Sequence, residues 1–427
     1  MEKMIKDELM QYLIKHNLIN KQQHGFVYNK ACNTNLLETM DTLTKLLADK
    51  ESFDLLLLDF AKAFDKVAHK RLNLKLSGYG ICGKLLAWLK AFLSGRKQRV
   101  ILGEFVSEWV KVNSSVIQGS VLGPLLFILF INDLVDCIVN KSKLFADDTK
   151  VLAKTNNTTE SSLQKDINNI LEWTNTWLMR LNLEKCKIMH FGKKNPKTNY
   201  TMKSYESEEL IQIEKTESER DLGIQVSSNL KYDAQVSKSA SKANTMLGIL
   251  KRTFVTRNVD IWKKLYTTYV RPHLEFAVSA WNPYLIKDIN TLEKVQQRAT
   301  KISPAIKNLT YQNRLQVLKL TTLEKRRTRG DLIQKFKIEK KIDIIEWENA
   351  PAVALPRGGR RGQHKRELIK NCAQRYNFFN NRIASEWNAL PEFVVSSTTT
   401  NQFKARLDEH AHSCHSVSST VDILRGI

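Results

Sequence analysis

The 427-residue sequence has no C-x-x-C pair, no signal-peptide core, no internal repeat and no apolar run long enough to cross a bilayer. Its six cysteines (Cys32, Cys82, Cys137, Cys186, Cys372, Cys414) are scattered. That spacing argues against a zinc module or a disulfide frame and for a reducing compartment. The longest apolar run, Val121–Ile131, is too short for a membrane span and holds Gly123 and Pro124. The opening residues, MEKMIKDELMQYLIKHN, mix charged and apolar side chains throughout, so no membrane partner is expected. Acidic residues are the minority charge: 44 Asp+Glu against 67 Lys+Arg leave +23. The excess is spread along the chain instead of sitting in one tail. Such a balance favours a polyanionic partner, because contact with phosphates releases counterions.

The pattern of apolar residues predicts an α+β chain. Two helices are expected before residue 50, the second with Leu36, Leu37, Met40, Leu43 and Leu47 on one side. Phe53–Phe60 is short, apolar and strand-like. Arg71–Ser94 reads as helix interrupted near Gly78–Gly83, and Gln98–Val112 as a hairpin around Gly103. Ser120–Val139 reads as a helix entered through Gly119 and Pro124, and Lys143–Lys154 as two strands around a tight turn. Glu160–Leu178 is amphipathic, with Leu163, Ile167, Ile170, Leu171 and Trp177 inward. Beyond Lys193 the register changes. RDLGIQV (Arg220–Val226) reads as one arm of a hairpin. Val236, Ala240, Ala243, Leu247, Leu250 and Phe254 form one helical seam, with Lys238, Lys242 and Arg252 off it. A bundle helix with solvated lysines and a helix tracking a duplex backbone fit that seam equally. Ile261–Phe336 is mostly helical and basic, and Pro351–Gln363 is a Pro/Gly/Arg linker. SSTTTN (Ser396–Asn401) precedes a last short helix.

Three motifs carry chemistry in one order: LDFAKAFD (Leu58–Asp65), QGSVLGPLLF (Gln118–Phe127) and FADD (Phe145–Asp148). Four leucines bury a strand, and Asp59 emerges at its end. Asp147 and Asp148 sit together at a turn, where two acids repel each other unless a cation is present. Alone, Asp59 reads as a strand-end residue and ADD as a solvated turn. Together they are the parts of a phosphoryl-transfer site, which needs two divalent ions roughly 3.5–4 Å apart on hard oxygen ligands.

With these motifs the chain resembles the reverse transcriptases of non-LTR (LINE-like) retrotransposons of the jockey/CR1 type. The likeness is close over Gln23–Gly192, in QHGF, LDFAKAFDKVAHKRL, SGRKQRV, QGSVLGPLLFILFINDL, LFADDTKV and WLMRLNLEKCKIMHFG. Downstream, RDLGIQV, LYTTYVRPHLEFAVSAWNP, LEKVQQRATK and FFNNRIASEWNALP extend it over nearly the whole chain. The last stretches argue against a group II intron maturase-like protein.

The resemblance implies an RNA-directed DNA polymerase with an RNA template, a DNA primer or target, dNTPs and Mg²⁺ (Mn²⁺ as the alternative ion). Asp59 and Asp147 would bind both metals, with Asp148 in support. Phe64 would stack under the sugar and exclude a ribose 2′-OH; by itself it reads as a core Phe. Gln118 and Gly119 would approach the nucleotide and template, with Gly119 allowing close backbone approach. Lys185, spaced N-x-x-K from Asn182, would protonate the leaving pyrophosphate, and equally fits a surface lysine. Arg96, Lys97 and Arg99 would meet template phosphates, and Leu222 and Gly223 would lie in the primer-grip hairpin. The implied fold is a right-hand palm of split βαβ type with partial fingers over 1–226. A helical thumb-like region (227–310) and a basic, mostly helical C-terminal region (311–427) would follow. The family's apurinic-type endonuclease and first fingers segment are not in the 427 residues, so a working polymerase and a non-catalytic nucleic-acid-binding remnant are both expected readings. The C-terminal His410, His412, Cys414 and His415 lack a C-x-x-C start and read as a disordered tail. An intracellular setting, nuclear or in a cytoplasmic ribonucleoprotein, is expected.

Overall fold

The computed structural model describes residues 1–155, 162–354 and 362–411 together with Ser161, so the C-terminal tail and the centre of the Pro/Gly/Arg linker lie outside the described residues. Two compact units emerge. The first holds Met1–Asn35 and Lys50–Glu217, and the second Leu36–Asp49 and Ser218–Ile427. Sequence patterning sets a boundary near residue 226 and a further one near 310. Packing divides the chain at 217/218, ahead of the RDLGIQV hairpin, and assigns most of the second helix to the second unit.

The first unit is built on a five-stranded sheet. Its elements in order are α1 (Glu2–Lys15), the start of α2 (Cys32–Ala48), β1 (Phe53–Leu58), α3 (His69–Gly78) and α4 (Gly83–Leu93). Four short strands follow: β2 (Lys97–Gln98), β3 (Ile101–Leu102), β4 (Phe105–Val106) and β5 (Val110–Lys111). Then come α5 (Gly123–Ile131), β6 (Lys141–Phe145), β7 (Asp148–Lys154), α6 (Ser162–Trp177) and β8 (Lys187–Phe191). The unit ends with β9 (Thr201–Lys203), β10 (Leu210–Gln212) and β11 (Glu214–Lys215). The sheet order is β11-β8-β1-β7-β6, antiparallel except for the β11/β8 pair.

The leucine run of β1 is central, paired on both edges, and almost wholly buried. A strand covered on both faces has no need of a polar alternation. α5 is apolar all round because its residues from Leu125 to Ile131 are buried in the same core. Pro124 stands in its first turn, where a missing N–H costs nothing. α6 turns Leu163, Ile167, Ile170 and Leu171 inward, as its periodicity predicts. At the far end of β1 the fully buried Asp54 accepts hydrogen bonds from His190 Nδ1 (2.7 Å), Asn195 Nδ2 (2.8 Å) and Tyr200 Oη (2.7 Å). This lock fixes one end of the strand and leaves the other, with Asp59, to the site.

In the second unit β12 (Ser218–Asp221) and β13 (Ile224–Ser227) make a hairpin that packs on α7 (Asp233–Thr253). RDLGIQV therefore contains both arms and the turn; Leu222 and Gly223 are the turn itself, at φ 42° and 93°. α7 buries Val236, Ala240, Ala243, Leu247 and Leu250. The rest of the described residues is mostly helical, including Ile286–Thr300, Leu323–Glu339, Phe379–Ala389 and a last helix over 400–411, with one short antiparallel pair, Val353–Ala354 against Gln363–His364. No helix of the described residues is long and apolar enough to cross a membrane.

Candidate active site

Register places the acids. β1 and β7 pair with Leu58 opposite Thr149, so Asp59 emerges beside the β6–β7 turn. That turn is a two-residue loop, Ala146–Asp147, closed by Phe145 opposite Asp148. Ala146 adopts φ 56°, the left-handed conformation that tight hairpins demand. A β-carbon there is uncommon, and the surroundings hold it. Gln23 Oε1 accepts the Ala146 N–H (2.9 Å) and the Gly25 N–H (2.7 Å), while its amide donates to the Ala146 carbonyl (3.4 Å). The QHGF segment joins β6 through the His24 N–H to the Leu144 carbonyl (2.8 Å) and the Leu144 N–H to the Gln22 carbonyl (3.0 Å). A Cβ on Gly25 would sit 2.4 Å from Ala146 N, so glycine is required by contact.

The result brings Asp59 and Asp147 within electrostatic reach. Asp147 is half-buried, and its carboxyl is held above the usual carboxylate range, first by burial and then by the charge of Asp59. Asp148, first residue of β7, is exposed. No three His, Cys, Asp or Glu side chains cluster as a ready metal cage among the described residues. The donor pair that fits a hard divalent ion is thus Asp59 with Asp147, two carboxylates whose repulsion a cation would relieve.

Lys185 reaches the same place by a separate route. The chain after α6 runs alongside the start of the LDFAKAFD turn. The Ala61 N–H donates to the Arg180 carbonyl (2.9 Å), and the Asn182 N–H donates to the Asp59 carbonyl (2.8 Å). Asn182 then accepts the Lys185 N–H (3.0 Å), which is the physical content of the N-x-x-K spacing. Lys185 Nζ stands 3.5 Å from Asp59 Oδ2 and is largely solvent-facing.

Phe64 follows on a 3₁₀ turn, Ala63–Lys66. Its ring stacks on Phe127 (centroids 4.2 Å apart) and meets Phe26 edge-on (6.3 Å). It is half-buried, both core and rim. The turn is laced to the segment before Gln118. The Val116 N–H donates to the Phe64 carbonyl (3.0 Å), the Ser115 N–H to the Val67 carbonyl (2.9 Å) and Ser114 Oγ to the Asp65 carbonyl (2.8 Å). Gln118 Nε2 donates to Asp65 Oδ1 (2.9 Å). Asp65, the last residue of LDFAKAFD, is the functional candidate that spacing alone missed. Gly119 has φ 83°, and a Cβ there would meet nothing. Its glycine serves the backbone turn; the close approach belongs to Gly123, where a Cβ would lie 2.5 Å from the Ile117 carbonyl oxygen.

Arg96 is used internally. Its guanidinium donates to the Leu93 carbonyl (2.9 Å) and to Ser115 O and Oγ (3.1 and 3.0 Å). Lys97 and Arg99 are exposed on the β2–β5 hairpin. Leu222 and Gly223 lie in the other unit, where a Cβ on Gly223 would press on Phe276 at 2.9 Å.

A carboxylate at a strand end, a carboxylate in an adjoining hairpin turn and a lysine beside them are thus brought to one place. The family model "Reverse transcriptase (RNA-dependent DNA polymerase)" matches residues 1–232, and the chain belongs to that family. It is 29% identical over 202 residues to the RNA-directed DNA polymerase from mobile element jockey of Drosophila melanogaster, covering 45% of this chain and 22% of that protein. It is 23% identical over 385 residues to the probable RNA-directed DNA polymerase from transposon BS of the same species, covering 84% of this chain and 41% of that protein. The chain therefore spans between about a fifth and two fifths of the length of these curated relatives. Among solved structures, apo telomerase from Candida tropicalis aligns at a TM-score of 0.40 and 10% identity, covering 80% of this chain and 54% of that one.

Proposed function

We propose that this chain is an RNA-directed DNA polymerase of a non-LTR retrotransposon, extending a DNA primer on an RNA template with dNTPs. The observation that carries this reading is the apposition of Asp59 and Asp147 at the end of β1 and the β6–β7 turn. The first unit corresponds in this reading to palm with partial fingers, and α7 with the helices after it to a thumb and C-terminal region. Asp59 and Asp147 would hold magnesium, with Asp148 in support; when bound, the ion supplies activation of the primer hydroxyl and neutralisation of the triphosphate. The chain's own residues do the rest. Phe64, held by Phe127 and by the hydrogen bond at its carbonyl, bounds the space beneath the sugar and excludes a 2′-OH. Gln118 and Gly119 meet the nucleotide and template from a loop tied to the same turn. Lys185 carries a proton beside Asp59, where the leaving pyrophosphate can take it. Fixed charges and positioning, not covalent chemistry, lower the barrier. The chain's excess of cations suits a template–primer partner, and the setting is intracellular, in the nucleus or a ribonucleoprotein.

Primer extension on an RNA template with a DNA primer, dNTPs and Mg²⁺ tests this. The parent chain extends and Asp147→Ala loses at least a hundredfold in rate. Absence of extension by the parent, with template–primer binding retained, would leave a nucleic-acid-binding protein without polymerase activity.

A further inference from the structure

The hairpin β2–β5 projects from the first unit with every residue from Lys97 to Lys111 exposed. Its stem has an unusual pairing: Lys97 stands directly opposite Lys111, and Gln98 opposite Val110. Two ammonium groups facing each other across a ladder destabilise it, and neither has an ion-pair partner among the described residues. The same register carried one step further sets Arg99 opposite Trp109, and the Arg99 guanidinium lies over the Trp109 ring at 4.6 Å. Side chains two apart share a face of a strand. Lys97, Arg99, Trp109 and Lys111 therefore form one face, with the indole 55% exposed. The tip differs. No cation lies between Val100 and Val110, and it presents Leu102 and Phe105 with Glu104 and Glu108. The base of the stem is pinned by Arg96 to Ser115, three residues before Gln118.

We infer that this stem face binds a single strand of nucleic acid: Lys97 and Lys111 take a backbone phosphate between them, and the Trp109 ring, braced by Arg99, stacks on an unpaired base. A bridging phosphate turns the repulsion of the two lysines into attraction. An exposed indole with a guanidinium on it offers a stacking surface that reads no particular base. The strand's identity as template or displaced primer rests on the proposed polymerase function; the binding itself does not. The acidic, apolar tip is excluded from the site.

Fluorescence anisotropy with U12 and dT12 oligonucleotides and a 12-base-pair duplex, without nucleotide or metal, tests the inference on the full chain. Trp109→Ala weakens both single strands at least fivefold and the duplex by less than twofold. In Lys97→Ala/Lys111→Ala the slope of log affinity against log salt falls by about 0.7, the worth of the one phosphate the two lysines share. Leu102→Ser/Phe105→Ser stays within twofold of the parent. A loss confined to U12 or to dT12 supports the site and identifies the strand. An unchanged salt slope, an equal loss on duplex, or an equal loss in the tip variant would overturn it, the last marking the arm as an apolar docking surface for protein. All of these side chains are exposed, so the variants keep the parent's circular dichroism. If the parent fails to extend primers and still shows these changes, the proposed function falls and the inference stands.

Discussion

Arg375 and Asp41 are both fully buried in the second unit and joined at 2.6 Å. The guanidinium also donates to the Asp41 carbonyl (3.1 Å), to Thr44 Oγ1 (3.3 Å) and, from its other side, to both oxygens of Glu367. Asp41 further accepts the Glu348 N–H at 2.6 Å. Burial pushes the Asp41 carboxyl up, and Arg375 is the chief opposing influence. Arg375→Met removes that influence and leaves a carboxylate inside. Breaking one side of a buried pair costs about 3–5 kcal/mol. With a urea dependence of about 2 kcal/mol/M, the midpoint falls by about 2 M. The sign of the pH effect follows from the raised carboxyl. The folded variant holds a proton that the unfolded chain has released, so its stability falls as pH rises from the ordinary carboxylate value to the raised one. The deficit against the parent is therefore smallest near pH 4–5 and largest at neutral pH. Asp41→Leu/Arg375→Met, with no charge left from the pair, recovers most of the loss. Urea denaturation followed by circular dichroism at pH 5 and pH 7.5 measures all three. A midpoint shift below about 0.5 M at pH 7.5, or a double variant weaker than the single one, would refute the reasoning.

Asp65→Ala frees the Gln118 amide and raises the KM for dNTP about three- to tenfold with little change in kcat, while Asp65→Asn, which keeps an acceptor, stays near the parent; steady-state primer extension separates them. Gly25→Ala drives a methyl into the Ala146 backbone and lowers extension more than tenfold through the displaced Asp147 turn, with the fold retained by circular dichroism. Lys75 lies among the rings of Phe130, Trp173 and Trp177, 2.5 Å from Asp133, and burial holds its pKa down to about 8. Between that value and the ordinary lysine range the unfolded chain holds the extra proton, so stability contributed at this site rises with pH. The parent accordingly gains about 2 kcal/mol on Lys75→Met between pH 7.5 and pH 9.5, read by urea denaturation, and a constant difference would remove the argument.

What the sequence made legible was local. Four leucines before Asp59 read as a buried strand because burial on both faces removes the polar alternation. FADD read as a turn because a two-residue hairpin loop sits between strands of clear period. The N-x-x-K spacing of Asn182 and Lys185 is itself one turn of chain. The remainder depends on partners far apart in sequence. The 36–48 stretch shows an apolar side, yet nothing in its periodicity says that Glu346, Glu348 and Arg375 meet it, because the decisive contacts are Arg375 to Asp41 and the Glu346 and Glu348 N–H groups to Glu38 and Asp41. RDLGIQV alternates like one strand; its reversal rests on positive φ at Leu222 and Gly223, of which only the glycine is a signal. The same limit applies within the site. Gln23 holds Ala146 across 123 residues, and Gln118 meets Asp65 across 53. Each looks like an ordinary polar residue until the sheet register brings the segments together. The positions of the acids were readable because one ends a buried strand and the others stand in a tight turn, both marked by local pattern. The groups that aim them were not, because a hydrogen bond to a backbone amide or a carboxylate can be supplied by several residue types, and only the folded register selects one.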